Sequence, residues 1–418
     1  MRFEVTYQNK KLQLNNLSLL EKEVIYINEY LQKANTYKVI SVIHGSPVFS
    51  LYQPPIATLS GTRSLDVRLM RKFNRKRLPA SATISLTRLC QCECEHCSAV
   101  YYNKSKGKKE LSLSELKSAI LETVELGVTN IILLGGEPLL FKGIFDLIES
   151  IPKDKANVIM FTNGEFLSKE TCERLKESGL LGAFVSVDST DPEEHDRLRL
   201  RKGLFQKLLK GIQNMNDAGL IPGISSYLTG ERLREGVFEN MMEFAKNNGA
   251  KEVTFFDAIP SGKWLQDDSC VLQTEDRLKI NELVRRFRKL ETYPGLSVQS
   301  TMTSECGSAF CFAANTQFYL TAFGEMCPCD FTPISFGKYP DSSIRVLWEK
   351  MTSIEPYKKR SKVCRMQDKN FRDNYIQKIP SEGPFPYPFE NFQELDNSSI
   401  SLSHRDESIS LGILQSPL

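Results

Sequence analysis

From residue 81 onward the sequence repeats one pattern, a short apolar run followed by a longer segment with apolar residues at helical spacing. The apolar runs predict six strands, at residues 82–87, 129–134, 157–161, 183–188, 221–228 and 252–256. The other segments predict helices at residues 112–126, 142–149, 169–178, 204–218, 232–247 and 277–290. Strands that alternate with helices form parallel sheets covered by helices, so an α/β fold is expected. Periodicity alone leaves open whether the sheet curls into a barrel.

The two ends of the chain lack this repeat. Residues 1–80 form an unassigned segment, either a small accessory domain or a wrap around the main body, with a helix expected at 17–33 and a strand at 37–43. Residues 81–295 hold the repeat, and residues 296–375 are loop-rich with several cysteines. Residues 376–418 predict an extended or disordered tail, because Pro, Ser and Asn are frequent there without periodicity.

Composition and charge narrow the class of protein. A chain of 418 residues with 41% hydrophobic and 25% charged residues is typical of a globular protein of one large domain or two domains. The net charge of +3 is too small to indicate nucleic-acid binding, and the basic run at residues 71–77 predicts a solvated linker. We find no signal-peptide pattern and no run of about 20 apolar residues, so a cytoplasmic protein without a membrane span is expected.

Eleven cysteines change this picture, because clustered thiols in a reducing compartment indicate metal or redox chemistry. Four of them lie within residues 90–97, directly after the first strand of the repeat, where α/β folds bind ligands. Cys90, Cys94 and Cys97 have the spacing C-x3-C-x2-C. Three thiolates leave one iron of a cubane cluster without a protein ligand, an open site for chemistry. A structural zinc loop is the alternative at this point.

Gly135-Gly136-Glu137-Pro138 follows the second strand, and with the three thiols it makes the chain resemble the radical S-adenosylmethionine (SAM) enzymes over residues 82 to 260. The resemblance implies a partial (β/α)6 TIM-like barrel, a 4Fe-4S cluster on the three cysteines, and SAM on its open iron. Gly135 and Gly136 then let the backbone approach the methionine moiety of SAM closely. Glu137 is expected to accept a hydrogen bond from the SAM ammonium group, and Pro138 to fix the turn.

The same resemblance implies further SAM contacts. His96 precedes the third cysteine and is expected to shield the cluster and contact the adenine, while Asn163 and Ser186 lie at strand ends that contact SAM. Arg199 lies in a stretch that resembles the H-D-x-x-R-G element, although Leu200 replaces the customary glycine. Cys92 is extra to the pattern and is not expected to be a ligand. No catalytic residue is assigned.

The later cysteines resemble the SPASM/twitch extension, which implies a small α+β cysteine-rich domain with auxiliary iron–sulfur ligands. The chain lacks the C-x2-C-x5-C-x3-C run of a full SPASM domain, which favours a twitch-like region with one auxiliary 4Fe-4S cluster. The expected ligands are Cys306, Cys311, Cys329 and Cys364, with Cys327 as the competitor of Cys329. A zinc site built from the same thiols is the alternative.

The expected activity follows from the resemblance: reductive cleavage of SAM to a 5′-deoxyadenosyl radical, which abstracts hydrogen from a peptide or protein substrate, as in a maturase. The alternatives are a radical SAM oxidoreductase acting on a small metabolite such as a tetrapyrrole or sugar, and a non-catalytic iron–sulfur or zinc scaffold. The expected partners are the substrate and an electron donor such as flavodoxin or ferredoxin. No nucleic-acid partner is expected.

Overall fold

The computed structural model describes residues 2–100, 108–299 and 310–392. Its strands are β1 Phe3–Gln8, β2 Lys11–Asn16, β3 Ser41–Ile43, β4 Ser46–Val48, β5 Ser81–Ser85, β6 Asn130–Leu134, β7 Asn157–Thr162, β8 Gly182–Ser186, β9 Ile221–Leu228, β10 Glu252–Asp257, β11 Gly295–Val298, β12 Gln317–Leu320, β13 Met326–Cys327, β14 Ile334–Ser335 and β15 Tyr387–Pro388. Its α-helices are α1 Glu21–Ala34, α2 Leu59–Phe73, α3 Leu113–Leu126, α4 Ile144–Glu149, α5 Lys169–Glu177, α6 Pro192–Arg199, α7 Leu204–Asp217, α8 Gly230–Arg234, α9 Val237–Asn247, α10 Thr274–Arg288, α11 Ile344–Ser353 and α12 Lys369–Asn374.

One nine-stranded sheet, in the order β11-β10-β9-β8-β7-β6-β5-β12-β13, organises the molecule. Strands β5 to β11 run parallel and follow one another in chain order, which confirms the parallel sheet predicted from the repeat and is consistent with the partial barrel that the resemblance implies. β12 adds to β5 in parallel, and β13 then pairs antiparallel with β12. β11 is a seventh parallel strand outside the six predicted ones, because its sequence Gly-Leu-Ser-Val has only a weak apolar signal.

Local sequence signals account for most helix boundaries. Ser112 caps α3 and its backbone N–H donates to the Glu115 carboxylate at 2.7 Å, a reciprocal capping box. Leu116, Ile120 and Val124 then bury one face of this helix in the main core. The single helix predicted at 232–247 is divided into α8 and α9, because Gly236 adopts a φ of 78° in the left-handed region.

The N-terminal segment has its own hydrophobic core, which favours the accessory-domain alternative. Residues from the β1–β2 hairpin, α1 and α2 form this core, including Phe3, Ile27 and Leu65. The basic run at 71–77 begins inside α2 and continues at 74–76 as an exposed linker, as predicted. The prediction is wrong for Arg77, which donates hydrogen bonds to the carbonyls of Thr352 and Lys358 at 2.8 and 2.9 Å.

The C-terminal residues that the structure describes pack as a strap. β15 pairs in parallel with β14, and Phe389 and Phe392 are buried against Tyr375. Residues 393–418, for which disorder is the alternative expectation, lie outside the described residues. Within the described ranges, no helix has the length and apolarity needed to cross a membrane.

Leu200 ends α6 with φ 48° and ψ 44°, so it occupies the left-handed position for which glycine is customary. Its side chain is 55% exposed and gains little from packing. We expect Leu200→Gly to raise the free energy of unfolding by about 0.5–1 kcal/mol, since the left-handed penalty for a side chain exceeds the entropic cost of glycine. Urea unfolding of both proteins measures the difference.

The matched control is Leu278→Gly, because Leu278 is 64% exposed but lies inside α10. The free energy of unfolding of this variant is expected to fall by about 1 kcal/mol, the ordinary cost of glycine in a helix. Equal losses in both variants would contradict the left-handed penalty at Leu200.

Candidate active site

A single cavity of about 1300 Å³ contains the candidate site, and its wall includes cysteines from both predicted groups. These are Cys90, Cys94 and Cys97 from the loop after β5, and Cys311, Cys329 and Cys364 from the C-terminal region. The structure therefore brings six of the seven predicted cluster ligands to one space, although they are up to 274 positions apart in sequence. Cys306 lies outside the described residues.

Backbone contacts from other elements position the first cysteine loop. The N–H groups of Glu93 and Glu95 donate to the carbonyls of Arg199 and Leu198, at the end of α6, at 3.4 and 3.0 Å. Lys263 closes the other side, since its ammonium group donates to the carbonyls of Glu93 and Cys94 at 2.8 and 2.6 Å. The loop conformation is therefore fixed by two distant segments rather than by its own sequence.

Cys92, the extra thiol, lies between two of the expected ligands. Its backbone N–H donates to the Cys90 sulfur at 3.4 Å, and its thiol is hydrogen-bonded to the sulfurs of Cys90 and Cys94. This thiol contact is the main cause that lowers the pKa of Cys94 to about 6, while burial raises the pKa of Cys97 to about 11. Cys92 thus acts as a hydrogen-bond donor to the neighbouring sulfurs in this conformation.

In the described ranges, no three or more His, Cys, Asp or Glu side chains are placed to hold a single metal ion. A cubane cluster has a different requirement, because each thiolate binds its own iron. The loop supplies that donor chemistry with three sulfurs facing the cavity. The assignment of Cys90, Cys94 and Cys97 as cluster ligands stays a prediction, with the zinc loop as its alternative.

Gly135 and Gly136, after β6, pack directly against the backbone that leads into the cysteine loop. A Cβ on Gly135 would lie 2.5 Å from the carbonyl oxygen of Thr87, and one on Gly136 would lie 2.3 Å from that of Leu89. The cysteine loop therefore crosses the end of β6 with backbone against backbone, which only glycine permits. Both glycines also line the cavity, so their contact with SAM stays a prediction alongside this structural role.

Glu137 directs its carboxylate to the neighbouring strand end. It accepts hydrogen bonds from the Thr162 hydroxyl at 2.7 Å, the Asn163 N–H at 2.8 Å and the Leu139 N–H at 3.2 Å. The side chain is fully buried, and this burial raises its pKa to about 7 against the effect of the hydrogen bonds. The bonds from Thr162 and Asn163 link the turn after β6 to the end of β7, and the predicted bond to the SAM ammonium group stays untested. Pro138 is the first residue of a 3₁₀ turn.

Arg199 is neither exposed nor free, because Asp188 binds it through both carboxylate oxygens at 2.5 and 3.1 Å. Burial disfavours the Asp188 carboxylate, but the charges of Arg199 and His96 outweigh it and hold the pKa well below its usual range. The His96 Nε2 atom lies 3.4 Å from the same carboxylate, and its ring stacks on Tyr227 at 4.4 Å. Asp188 therefore orients two predicted SAM contacts, Arg199 and His96.

Several buried polar atoms at the cavity wall have no hydrogen-bond partner among the described residues. They include His96 Nδ1, Asn163 Nδ2 and Ser226 Oγ. The Asn163 carbonyl oxygen is occupied by Gln91 and the Glu165 N–H, so only its amide N–H group is left for a ligand. Buried polar groups are normally paired, and SAM offers a carboxylate, hydroxyls and adenine nitrogens as partners. The residues present therefore fit SAM and the cluster.

Ser186 lies beside this set, with its hydroxyl 3.3 Å from that of Ser225. Sequence reasoning missed Asp188, Tyr227, Trp264 and Ser226, which also line the cavity. The available signal was their position after or near the carboxyl ends of predicted strands. Residue type alone did not separate them from ordinary core residues.

Three C-terminal thiols, those of Cys311, Cys329 and Cys364, line the same cavity. The side chains of Cys311 and Cys364 are hydrogen-bonded, and this contact is the main cause that lowers the pKa of Cys311 to about 6. Cys329 lines the same space, whereas Cys327 is fully buried against Tyr319 and does not line it. This geometry favours Cys329 over Cys327 as a ligand, and the full set with Cys306 stays a prediction.

Glu137 gives the stability a pH dependence of its own. Its pKa of about 7 in the folded protein lies above the usual value of 4.5. The contribution of Glu137 to the free energy of unfolding is therefore fully present below pH 4.5 and is lost as the pH rises toward 7, because the buried carboxyl must then ionise. We expect Glu137→Gln, which stays neutral, to lose this slope. At pH 5 the variant is expected to unfold at lower urea concentration than the parent, because the amide NH2 group cannot accept a hydrogen bond as the carboxyl oxygen does. Urea midpoints across about pH 5 to 8 measure both effects.

Glu165→Gln is the control for the pH series. Hydrogen bonds from Arg201 are the main cause that lowers the pKa of Glu165 to about 2, so its removal leaves the slope above pH 5 unchanged. A parent-like slope in Glu137→Gln would contradict the raised pKa of Glu137.

Comparison with known proteins agrees with this site. Residues 84–261 match the family model of the Radical SAM superfamily. The AdoMet-dependent heme synthase of Methanosarcina barkeri is 26% identical over 311 residues, covering 67% of this chain and 86% of the relative. The probable GTP 3′,8-cyclase of Archaeoglobus fulgidus is 27% identical over 299 residues, covering 69% and 99%.

Among solved structures, Streptococcus suis SuiB bound to its precursor peptide SuiA superposes with a TM-score of 0.54 at 14% identity, covering 85% of this chain and 88% of SuiB. At that identity the likeness concerns the fold alone. The matched family region includes the cysteine loop, the glycine pair and strands β6 to β10. Residues 84–261 therefore form a domain of the Radical SAM superfamily, whose members use a 4Fe-4S cluster and SAM.

Proposed function

We propose that this radical SAM enzyme abstracts hydrogen from a peptide or protein substrate, as a maturase. The observation that carries the proposal is the continuous cavity of about 1300 Å³ that reaches both groups of cysteines. Pockets for one small ligand commonly measure about 300–1000 Å³. The larger space leaves room for a substrate segment beside SAM. The cavity also opens to solvent, because Arg68, Lys72 and Arg360 in its wall are exposed.

The fold likeness to SuiB is consistent with this proposal, since that protein has been solved with its precursor peptide bound. At 14% identity it carries no residue-level argument about substrates. The choice of a peptide therefore depends on the size of the cavity and its open mouth.

A small tetrapyrrole is the second candidate substrate. Three of the curated relatives are AdoMet-dependent heme synthases, at 24–26% identity. The cavity wall also contains a group of neighbouring aromatic rings, Tyr52, Phe161, Phe256 and Phe331, which offers an apolar surface for a flat ligand. Sequence similarity and these rings favour this candidate, while the open mouth favours a peptide.

When bound, the cluster supplies the electron for reductive cleavage of SAM. The residues of this chain bind SAM and orient it. In our proposal Asn163, Ser226 and His96 direct their unpaired polar atoms at SAM, and the Asp188–Arg199 pair fixes the position of His96. The apolar wall excludes water from the reacting carbon. We propose flavodoxin or ferredoxin as the electron donor, docking near Cys90, which is the exposed thiol of the loop.

Isotope transfer separates the two substrate classes. The anaerobically reconstituted enzyme is given SAM, dithionite and either a deuterated low-mass peptide fraction from a gene-deletion strain or deuterated iron-coproporphyrin. Hydrogen abstraction from a peptide transfers deuterium into 5′-deoxyadenosine, which gains about one mass unit. Transfer from the porphyrin alone would replace the peptide proposal with the second candidate.

Removal of one cluster thiol tests the catalytic assignment of the first loop. Cys94→Ala is expected to lower 5′-deoxyadenosine release at least about 100-fold, because loss of a ligand disrupts the site that binds SAM. The control is Cys172→Ala, since Cys172 is buried in the main core away from the cavity. Similar activity in Cys94→Ala and Cys172→Ala would remove Cys94 from the ligand set. Chromatography of the quenched reaction measures the product.

Iron content tests the auxiliary site. We expect about eight irons per chain in the parent and about four in Cys311→Ala or Cys364→Ala, since each cubane holds four. Cys327→Ala is expected to retain about eight, because Cys327 does not line the cavity. Bound zinc with about four irons in the parent would identify a structural zinc site instead.

A further inference from the structure

Two basic runs far apart in sequence are adjacent in the structure. Residues 71–77 and residues 358–365 each contain five Lys or Arg and no acidic residue. The whole chain has a net charge of only +3, so these runs concentrate positive charge in one place. Apart from Cys364, neither run contains a residue assigned above to the cluster or SAM sites.

Arg77 holds the two runs together. Its guanidinium donates to the carbonyls of Thr352 and Lys358 at 2.8 and 2.9 Å, and also to that of Tyr357. Within the second run, Arg365 donates to the carbonyl of Lys359 at 2.6 Å. The structure thus places like charges together by means of backbone acceptors rather than acidic side chains.

Four cations from these elements line the mouth of the cavity. Arg68, Arg71 and Lys72 share one face of α2 at the spacing i, i+3, i+4, and Arg360 lies in the second run. Among the described residues, no carboxylate forms an ion pair with any of the four, and Arg71 bonds only to the Leu78 carbonyl and the Asn315 side chain. Arg68, Lys72 and Arg360 are exposed. We name these four residues the cationic mouth.

The side chains of the cationic mouth repel one another. Burial is the main cause that lowers the pKa of Arg71 to about 10, and the charges of Arg360 and Arg68 lower it further. Such a group is stabilised by an anion, and guanidinium groups bind carboxylates through two parallel hydrogen bonds.

The cationic mouth is also close to the auxiliary thiols. The Cys311 N–H donates to the carbonyl of Ser361, the residue after Arg360, at 2.8 Å. Cys364 lies four positions after Arg360 in the same run and lines the same cavity. An anion held here is therefore beside the cavity and next to its C-terminal cysteines.

We propose that Arg68, Arg71, Lys72 and Arg360 bind an acidic segment of the peptide substrate and so place the rest of it in the cavity. The inference rests on the peptide function proposed above and adds the substrate charge. The Arg68 guanidinium lies over the Tyr30 ring at 4.9 Å and that of Arg360 over the Phe310 ring at 5.9 Å, so a cation occupies one face of each ring. A nucleic acid is the competing anion, and the test below includes it.

Fluorescence anisotropy with defined probes tests this inference on the anaerobically reconstituted full chain. The probes are fluorescein-labelled (Glu-Gly)6, its neutral analogue (Gln-Gly)6 and oligouridylate of about the same length. We expect the acidic peptide to bind at least about tenfold more tightly than the neutral one, with an affinity that falls as salt is raised. Equal binding of the two peptides, or tighter binding of oligouridylate, would overturn the proposal.

Charge reversal locates the binding to the mouth. Arg68→Glu with Lys72→Glu is expected to weaken binding of (Glu-Gly)6 at least about tenfold. The control, Lys279→Glu with Arg285→Glu, makes the same charge change on α10 away from the cavity and is expected to change affinity less than about twofold. Arg360→Gln is a milder second variant at an exposed position, expected to weaken binding severalfold. Equal losses in the α10 control would show a non-specific charge effect and reject the cationic mouth.

The outcome is separable from that of the proposed function. Acidic-peptide binding that depends on Arg68 and Lys72, without deuterium transfer from any peptide, keeps the mouth as an anion site and rejects the peptide substrate. Deuterium transfer from peptides, with no dependence on Arg68, Lys72 or Arg360, keeps the peptide substrate and rejects the mouth.

Discussion

The crossing of the cysteine loop over the end of β6 is the constraint on which the rest of the site depends. Backbone atoms meet there with no space for a side chain, since Cβ atoms at Gly135 and Gly136 would lie 2.5 and 2.3 Å from carbonyl oxygens of the loop. The Glu137 N–H then donates to the Leu89 carbonyl at 2.7 Å, which directs the Glu137 side chain toward β7. One close approach thus fixes the cysteine loop, the turn after β6 and the end of the next strand together.

A buried ion pair completes the other side of the loop. Asp188 follows β8 and Arg199 ends α6, so their pairing couples β8 to the helix whose last carbonyls accept from Glu93 and Glu95. A buried pair of this kind is stable only with both members present, because a lone buried charge is costly. The same carboxylate orients His96 beneath Tyr227. Leu200, directly after Arg199, has a left-handed backbone conformation that is strained for a residue with a side chain. The strain therefore lies next to the buried ion pair.

The cavity is assembled from segments that are distant along the chain. β12 adds to β5 with Gln317 beside Ser81, and this single pairing brings the auxiliary thiols over the carboxyl ends of the barrel strands. Arg77 adds a second connection, from the end of the N-terminal module to the run that contains Cys364.

Patterns along the chain were enough to predict six of the seven parallel strands from β5 to β11, most of the helices between them, the capping box at Ser112 and the two groups of cysteines. Apolar period and ligand spacing are local properties, and local properties are visible along one chain. Tertiary structure decided the rest. It placed Cys329 rather than Cys327 at the cavity and directed the Glu137 carboxylate to Thr162. It also paired Arg199 with Asp188 and joined Arg77 of the basic run to the C-terminal region. Each of these depends on which distant backbone or side chain arrives alongside, and spacing along the chain carries no such information.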